Sequence, residues 1–298
     1  MLALRIAVGL GLSYAVLTLL AWRFQERLAF PAPRGVVPDP KSVGVANGEK
    51  IELVTQDGTR LEGWFLRPVE VGGGRRRLGE VDPGRSNLPQ PPQPPLTSPA
   101  LLWFYGNGEN IAAIWPIVRE FQPPGTAVLV VDYPGYGGSG GNATEAGLYR
   151  AADAAYAMLV GRPGIDPRRI YVYGRSLGSA VATYTAERYP VAGLVLESPF
   201  TSARAMARHL YAMLPRFTLT LHLDNIANVK RIHCPTLVFH GDADRLVPTA
   251  MGLAVAAAAA GPVEVVLIHG AGHNDTYTIG GREYRDKLWG FIQRPVRP

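Results

Sequence analysis

The chain has 298 residues, of which 47% are hydrophobic, so it can bury one core of about 250 residues with further segments to spare. Its net charge is +6, but the 30 basic residues are scattered and the one tight cluster is Arg75-Arg76-Arg77, which argues against nucleic-acid binding. Cys234 is the only cysteine, and this excludes an intramolecular disulfide and a zinc site built from several cysteines.

The chain begins with an apolar segment. Residues 6–22 carry no charge, and counted from Leu2, with Arg5 reaching the interface, the run is long enough for a helix that crosses a bilayer. Because no small-x-small cleavage site follows Leu20, we expect residues 1–24 to be a retained transmembrane anchor. The alternatives are a cleaved signal sequence, which implies secretion, and a helix docked on the domain. The flanking charges leave the membrane side of the domain open.

The second part, residues 25–298, is expected to form one folded domain with an insertion. Two alternating runs between residues 51 and 66 flank Asp57-Gly58, which predicts a β-hairpin. Residues 69–99 combine a run of three glycines, a run of three arginines and a proline-dense tract, and they hold too few apolar residues to fold. We expect a disordered insertion there, with a proline-rich docking site as the alternative.

After the insertion, apolar strands alternate with helical segments. Because these strands are apolar along nearly their whole length, they favour a mostly parallel sheet with helices on both faces. Residues 201–232 lack a strand and are longer than a simple crossover. The predicted strands lie at 100–105, 127–132, 170–173, 193–196, 236–240 and 263–268, and the predicted helices at 144–160, 250–260 and 281–293, with two more ending near residues 121 and 190.

The segment around Ser176 carries the strongest chemical pattern. The run at 170–173 leads into Gly-Arg-Ser-Leu-Gly, and residues at helical spacing then continue to Pro190. A G-x-S-x-G pattern between a strand and a helix predicts a nucleophile elbow, in which a strained turn exposes the serine hydroxyl. The helix that follows directs free N–H groups towards developing negative charge. An ordinary strand-to-helix turn is the alternative.

The last two strands open into loops that carry candidate acids and bases. One loop holds Asp242 and Asp244, and the other holds His269 and His273. A serine hydroxyl needs a base, and the imidazole needs a carboxylate that fixes its tautomer, so the order serine, acid, histidine predicts a serine hydrolase. We favour His273 as the base because it lies deeper in a glycine-flanked loop.

The other histidines are expected to be surface or packed residues. No His/Asp/Glu group has metal-ligand spacing, so no metal and no cofactor are expected. These histidines are His209, His222, His233 and His240.

Five stretches carry a family resemblance: Asp-Tyr-Pro-Gly-Tyr-Gly-Gly-Ser-Gly, Gly-Arg-Ser-Leu-Gly-Ser-Ala, Leu-Glu-Ser-Pro-Phe-Thr-Ser, Cys-Pro-Thr-Leu-Val-Phe-His-Gly-Asp-Ala-Asp and Gly-Ala-Gly-His-Asn-Asp. Together they resemble the α/β-hydrolases, and in particular the membrane-tethered esterases and depalmitoylase-like acyl-protein thioesterases. The resemblance covers the chain from residue 28 to its end apart from residues 69–99. It implies an α/β-hydrolase fold with a short lid at 201–232.

The resemblance also implies roles for individual residues. The pattern His-Gly-x-x-Asp-x-x-Val-Pro selects Asp244 as the acid, which leaves Asp242 to cap its loop. The backbone N–H groups of Leu177 and Asn107 are expected to bind the oxyanion. Relatives read His-Gly-Asn at the second donor, and here Tyr105 replaces the histidine, which leaves the orientation of that loop open.

The implied activity is hydrolysis of carboxylic esters or thioesters of acyl substrates at a membrane, through an acyl-enzyme on Ser176. An aminopeptidase-like serine hydrolase and a non-catalytic membrane scaffold that uses the proline-rich tract are the alternatives. Candidate acyl-pocket residues, with core packing as the other interpretation, are Phe200, Tyr211, Met213, Leu214 and Phe217.

Overall fold

A computed structural model describes residues 1–69, 97–213, 215 and 218–294. The strands are β1 Gly48–Val54, β2 Arg60–Leu66, β3 Ser98–Phe104, β4 Ala127–Val131, β5 Ile165–Arg175, β6 Gly193–Glu197, β7 Thr236–Gly241 and β8 Val263–Ile268. They form one eight-stranded sheet in the order β1-β2-β4-β3-β5-β6-β7-β8. The pairs β1–β2 and β2–β4 are antiparallel, and all other neighbours are parallel, which confirms the predicted sheet.

Helices cover both faces of the sheet. On one face α3 and α9 pack together, and on the other α4, α5, α7 and α8 form a layer in which each helix contacts the next. A 3-10 turn at Pro40–Val43 precedes β1. The helices are α1 Leu2–Arg23, α2 Gln25–Ala29, α3 Ile111–Phe121, α4 Glu145–Gly161, α5 Leu177–Arg188, α6 Ala203–Leu210, α7 Asn225–Val229, α8 Thr249–Ala258 and α9 Thr276–Ile292.

The core lies along the middle strands. Every residue of β4, β6 and β7 is buried, as parallel strands covered on both faces require. Trp103 of β3 and Tyr173 of β5 pack against each other in this core, with ring centroids 4.0 Å apart and the ring planes tilted by 34°. This burial is the main stabilising term and fixes the strand ends from which the functional loops start.

Hydrogen bonds between strands fix the β1–β2 hairpin and the start of β3, the elements on either side of the insertion. The predicted hairpin is present, and its turn contains Gly58 at φ +81°, a conformation that glycine adopts readily. Residues 98 and 99, which we placed in the disordered insertion, belong instead to β3, because the Ser98 N–H bonds the Gly164 carbonyl at 2.8 Å. Residues 70–96 of that insertion lie outside the described residues.

Two other elements are longer than predicted. β5 starts at Ile165 rather than residue 170, because its first residue pairs with Ser98 of β3. α9 starts at Thr276 rather than residue 281, and a kink at Gly281, with φ +46°, separates the added turn from the predicted helix. The added turn follows directly after the histidine loop.

α1 differs from every other helix that the structure describes. It has 22 residues with a mean hydropathy of 1.8, so its length and composition would suit a membrane crossing, and only 6% of its most apolar window is buried. Its place near the N-terminus fits an anchor and a signal sequence equally. Between β6 and β7, α6 and α7 occupy the predicted lid region, and no residue of α6 is buried.

Candidate active site

Ser176 occupies the turn between β5 and α5. Its φ of +50° is rare for a residue with a side chain, and such strain costs about 1–3 kcal/mol. A Cβ on Gly174 would collide with the Gly178 carbonyl oxygen, and one on Gly178 would collide with the carbonyl of Phe104. Both glycines of the pattern are therefore needed for the strand and helix to approach this closely.

Ser176, His273 and Asp244 form one line of hydrogen bonds. The Ser176 Oγ lies 3.0 Å from His273 Nε2, and His273 Nδ1 lies 2.8 Å from Asp244 Oδ2. The second Asp244 oxygen accepts the N–H groups of Leu246 and Val247 at 3.0 and 2.8 Å. Both the carboxylate and the imidazole are buried, so the arrangement is shielded from competing water.

The Asp244 carboxyl has a second imidazole beside it. This second imidazole is that of His240, which is buried. Its Nε2 lies 2.9 Å from the Val247 carbonyl oxygen and 3.4 Å from Asp244 Oδ2. Burial acts to raise the pKa of Asp244, but hydrogen bonds from His240 and His273 outweigh it and hold that pKa well below its usual range. Asp244 is thus charged at neutral pH. His240, expected to be a packed residue, is packed against the acid itself.

Asp242 and His269 form a separate pair nearer the surface. Their side chains meet at 2.7 Å, and Asp242 also accepts the N–H of Gly270 at 2.7 Å. The His269 side chain is 99% exposed. Asp242 was expected to cap its own loop, but it bonds the loop that follows β8 and so joins the two loops. The structure brings Asp244 and not Asp242 to the imidazole that contacts Ser176.

The two expected oxyanion donors lie at the same cavity as Ser176. Leu177 is the first residue of α5, and Asn107 lies in the loop after β3. Within the described ranges, neither backbone N–H donates a hydrogen bond. The Asn107 side chain is held at both ends, because it donates to the Ala29 carbonyl at 2.7 Å and accepts from the Tyr136 hydroxyl at 2.8 Å.

Tyr105, at the start of the loop that holds Asn107, is fixed by hydrogen bonds to the residues after β4. Its hydroxyl donates to Asp132 Oδ1 at 2.9 Å and accepts the N–H of Tyr133 at 3.1 Å. Asp132 Oδ1 also accepts the N–H of Ile111, the first residue of α3, at 2.8 Å. Burial raises the pKa of Asp132 to about 6. Asp132, which directly follows β4, thus holds both Tyr105 and the start of α3, the two ends of the loop between β3 and α3.

Arg175, the central residue missed by the sequence analysis, bridges three loops. Its guanidinium contacts Glu109 Oε1 at 2.6 Å and donates to the His273 carbonyl at 2.8 Å and to Asn274 Oδ1 at 2.9 Å. Its Nε lies 3.3 Å from Glu197 Oε1. A charged residue inside an otherwise apolar G-x-S-x-G unit was the available signal, since a buried arginine requires acidic partners.

Those partners extend the bridge in both directions. Glu109 Oε2 accepts the N–H of Gly106 at 2.7 Å, which connects Arg175 to the loop that holds Asn107. Glu197 is fully buried and accepts from the Tyr284 hydroxyl at 2.8 Å, with the Tyr173 and Thr276 hydroxyls also bonded to it. The elbow, the Asn107 loop and the His273 loop therefore share one polar network.

A mostly apolar cavity of about 360 Å³ opens at Ser176. Of the expected lining residues, Phe200 and Tyr211 line it, while Met213 is 82% exposed and does not. Leu214 and Phe217 lie outside the described residues. Ala21, Gln25, Leu28 and Ala29 of the N-terminal helices line it unexpectedly. In the described part of the chain, no group of three or more His, Cys, Asp or Glu side chains is placed to hold a metal ion.

Comparisons with known proteins identify the family. The α/β-hydrolase fold family matches residues 99–233. The uncharacterized protein Rv2307c of Mycobacterium tuberculosis is 35% identical over 272 residues, which cover 91% of this chain and 88% of that protein. Human alpha/beta hydrolase domain-containing protein 17B is 36% identical over 172 residues, 57% of each chain.

A solved structure gives the same fold. The Pyrococcus furiosus esterase Pf2001 superimposes with a TM-score of 0.66 at 19% identity, over 89% of this chain and 98% of the esterase. The chain belongs to the α/β-hydrolase superfamily, and esterases are among its structural neighbours. These findings support a hydrolase.

Proposed function

We propose that this protein is a membrane-tethered serine hydrolase that cleaves carboxylic ester or thioester bonds of acyl substrates. The observation that carries the proposal is the continuous line from the Ser176 hydroxyl through His273 to the buried Asp244, with contacts of 3.0 and 2.8 Å. Both distances lie within the range of a working nucleophile, base and orienting acid.

Acylation starts at Ser176. Its Oγ attacks the carbonyl carbon of the substrate while His273 Nε2 takes the hydroxyl proton. Negative charge that develops on the carbonyl oxygen is bound by the N–H groups of Leu177 and Asn107, and the start of α5 adds its positive end. His273 then gives the proton to the departing alcohol or thiol, which leaves the acyl group on Ser176.

Deacylation repeats the steps with water. His273 takes a proton from water, the hydroxide oxygen attacks the acyl carbon, and the proton returns to Ser176 Oγ as the carboxylic acid leaves. Asp244 keeps the imidazole in the tautomer with its proton on Nδ1 and stabilises the charged form. The low pKa of Asp244 suits this role because the carboxylate stays ionised throughout the cycle.

An acyl substrate suits the cavity better than a peptide. The cavity that reaches Ser176 is lined mainly by apolar side chains from α2, α6 and the loops beside it. Such a surface binds a hydrocarbon chain, and none of the described lining residues carries a carboxylate that could hold a free peptide amine. The proposed arrangement is an anchor at residues 1–24, which includes α1, and a catalytic domain at residues 25–298.

Substrate hydrolysis tests the proposal. The purified full chain is compared with Ser176→Ala on p-nitrophenyl esters, on an acyl thioester and on aminoacyl p-nitroanilides. We expect ester and thioester turnover that falls by about 10⁴-fold or more in the variant, with little turnover of the anilides. Preferred anilide cleavage would support an aminopeptidase-like enzyme. A wild type that turns over no substrate would contradict the proposal and favour a scaffold.

A further inference from the structure

The N-terminal helices are bonded to the lid region. The Tyr14 hydroxyl in α1 donates to the Met213 carbonyl at 2.7 Å, and Gln25 of α2 accepts the N–H of Thr220 at 2.7 Å. Both partners belong to the segment between α6 and α7. A helix that served as a tether alone would need no such contacts, because a flexible connection to the domain would be sufficient.

The same helices reach the loop of the proposed oxyanion donor. The carbonyl of Ala29, the last residue of α2, accepts the Asn107 amide at 2.7 Å. Phe30, which follows, is 3% exposed and belongs to the core of the domain. The end of the N-terminal unit is therefore fixed beside Ser176 by both a hydrogen bond and packing.

Between the N-terminal helices and α6 lies the apolar part of the cavity. Ala21 from the last turn of α1 lines it together with Leu28 of α2. From α6, Met206, Ala207 and Leu210 line the same cavity. The volume, about 360 Å³, lies in the range of roughly 300–1,000 Å³ that small-ligand sites occupy.

We infer that α1 and α2 form one wall of a site for an acyl chain and that α6 forms the opposite wall. The acyl chain of the substrate enters this site from the bilayer, between the N-terminal helices and α6. The inference rests on the proposed function, since the acyl group must end at Ser176. The ligand is a fatty acyl chain, and its source is a molecule embedded in the membrane.

The surroundings of the entrance fit a bilayer. Tyr14 lies nine residues before Arg23, so its contact with Met213 is about 14 Å along α1 from Arg23. With Arg23 at the interface, this contact lies at hydrocarbon depth. Tyr211 and Met213 are exposed beside it, at 58% and 82%. Exposed apolar side chains next to an exposed apolar helix are costly in water, and lipid removes that cost.

Basic residues lie where lipid headgroups would be. Arg204 and Arg208 of α6 line the cavity and are exposed, so their guanidinium groups are accessible to lipid headgroups, and the aliphatic part of an arginine can cover apolar surface. Anionic headgroups attract such groups. The lid therefore presents apolar residues at its tip and positive charge along α6, as an element docked at a bilayer surface does.

Chain-length preference tests the wall directly. The full chain in lipid nanodiscs is assayed on p-nitrophenyl butanoate and decanoate. Each added methylene that is buried should raise kcat/KM by up to about fourfold. Ala21→Trp fills the cavity, so we expect it to lower the decanoate-to-butanoate ratio by about tenfold or more. Leu20→Trp is the matched control, because Leu20 does not line the cavity, and it should leave the ratio unchanged.

An unchanged ratio in Ala21→Trp would overturn the inference while leaving the proposed function intact. Binding gives a second measurement without turnover. Ser176→Ala in nanodiscs should bind a fluorescent fatty-acid probe, and adding Ala21→Trp should weaken the binding about tenfold, whereas adding Leu20→Trp should not. If the probe binds with this pattern but the wild type hydrolyses neither ester, the proposed function is contradicted and the acyl-chain site formed by α1 and α2 is supported. Equal binding of the probe by Ser176→Ala/Ala21→Trp and Ser176→Ala/Leu20→Trp would contradict the inference that α1 forms a wall of the site.

Discussion

Two Asp–His pairs lie side by side at the C-terminal edge of the sheet, and they differ in almost everything except length. The outer pair, Asp242 with His269, meets at 2.7 Å, and the inner pair, Asp244 with His273, meets at 2.8 Å. The outer imidazole is 99% exposed, whereas the inner side chains are 0% and 8% exposed. The inner imidazole alone also contacts Ser176.

The contrast shows that a short Asp–His contact does not define a site. An exposed pair is screened by water and contributes little to either stability or catalysis. A buried pair retains its full electrostatic strength and can orient a third group. The inner pair is further fixed by two N–H groups on Asp244 and by Arg175 on the His273 carbonyl.

Replacing the two histidines should give the largest difference in activity between the inner and the outer pair. His273→Ala removes the proposed base and should lower kcat/KM for a short ester by about 10⁴- to 10⁶-fold. His269→Ala should change it by less than about twofold, because exposed side chains away from the reacting atoms have small effects. Steady-state ester hydrolysis measures both. Comparable losses in the two variants would remove the distinction between the pairs.

The aspartates should show the next largest difference. Asp244→Asn keeps the shape of the side chain but favours the wrong imidazole tautomer, so kcat should fall by about 10⁴-fold. Asp242→Asn should lower it by no more than about threefold, since it affects only a surface loop contact. The same assay applies, and circular dichroism checks that both variants are folded. A larger loss in Asp242→Asn would assign the acid role to the outer residue.

Arg175 tests what holds the inner pair in place. Arg175→Lys should lower kcat by about 10- to 100-fold, since a displacement near 1 Å at the base costs about that much, while KM for a short ester changes little. Arg168→Lys is the control, because the Arg168 side chain is 85% exposed and its polar contacts among the described residues are with Asp166. Unchanged kcat in Arg175→Lys would restrict the arginine to a structural role.

The smallest expected difference between the two pairs is in how the free energy of unfolding depends on pH at acidic pH. Because the pKa of Asp244 is lowered in the fold, its ionised form stabilises the protein above the usual carboxyl pKa of about 4, and this is lost as pH falls further. The difference in free energy of unfolding between wild type and Asp244→Asn, here called the stability gap, should therefore shrink on acidification from pH ~6 to ~3. Urea unfolding at several pH values measures it.

The exposed acid again serves as the reference. Asp242→Asn should show a small gap at every pH, because solvent screens its contact with His269. Asp132, whose pKa burial raises to about 6, favours the fold at low pH and loses that contribution as pH rises. It acts equally in wild type and variants, so it cancels from the gap. A gap for Asp244→Asn that widens on acidification would contradict the assigned direction.

The sequence was informative where chemistry follows chain order. Parallel strands collect their C-terminal loops at one edge, so Ser176, the loop with Asp242 and Asp244 and the loop with His269 and His273 could be expected together from strand order. The choice between Asp242 and Asp244 needed the family pattern, because both follow β7 within three residues. Sheet type, the hairpin and most helix positions followed from hydrophobic patterning.

The rest depends on contacts that no local pattern specifies. Arg175 meets Glu109 and Asn274, which lie 66 and 99 residues away in the chain. The start of β5 at Ile165 is set by its partner strand rather than by its own residues. The N-terminal helix was treated as separate from the domain, so the contribution of Ala21 to the cavity became visible only in the folded chain.

Covalent labelling tests the central claim most directly. A fluorophosphonate probe reacts only with a serine that a neighbouring base activates, and mass spectrometry of the digested protein locates the label. The account predicts label on Ser176 in the wild type and in His269→Ala, and labelling slowed by about 10³-fold or more in His273→Ala. Label on another residue, or equal labelling of the two histidine variants, would contradict it.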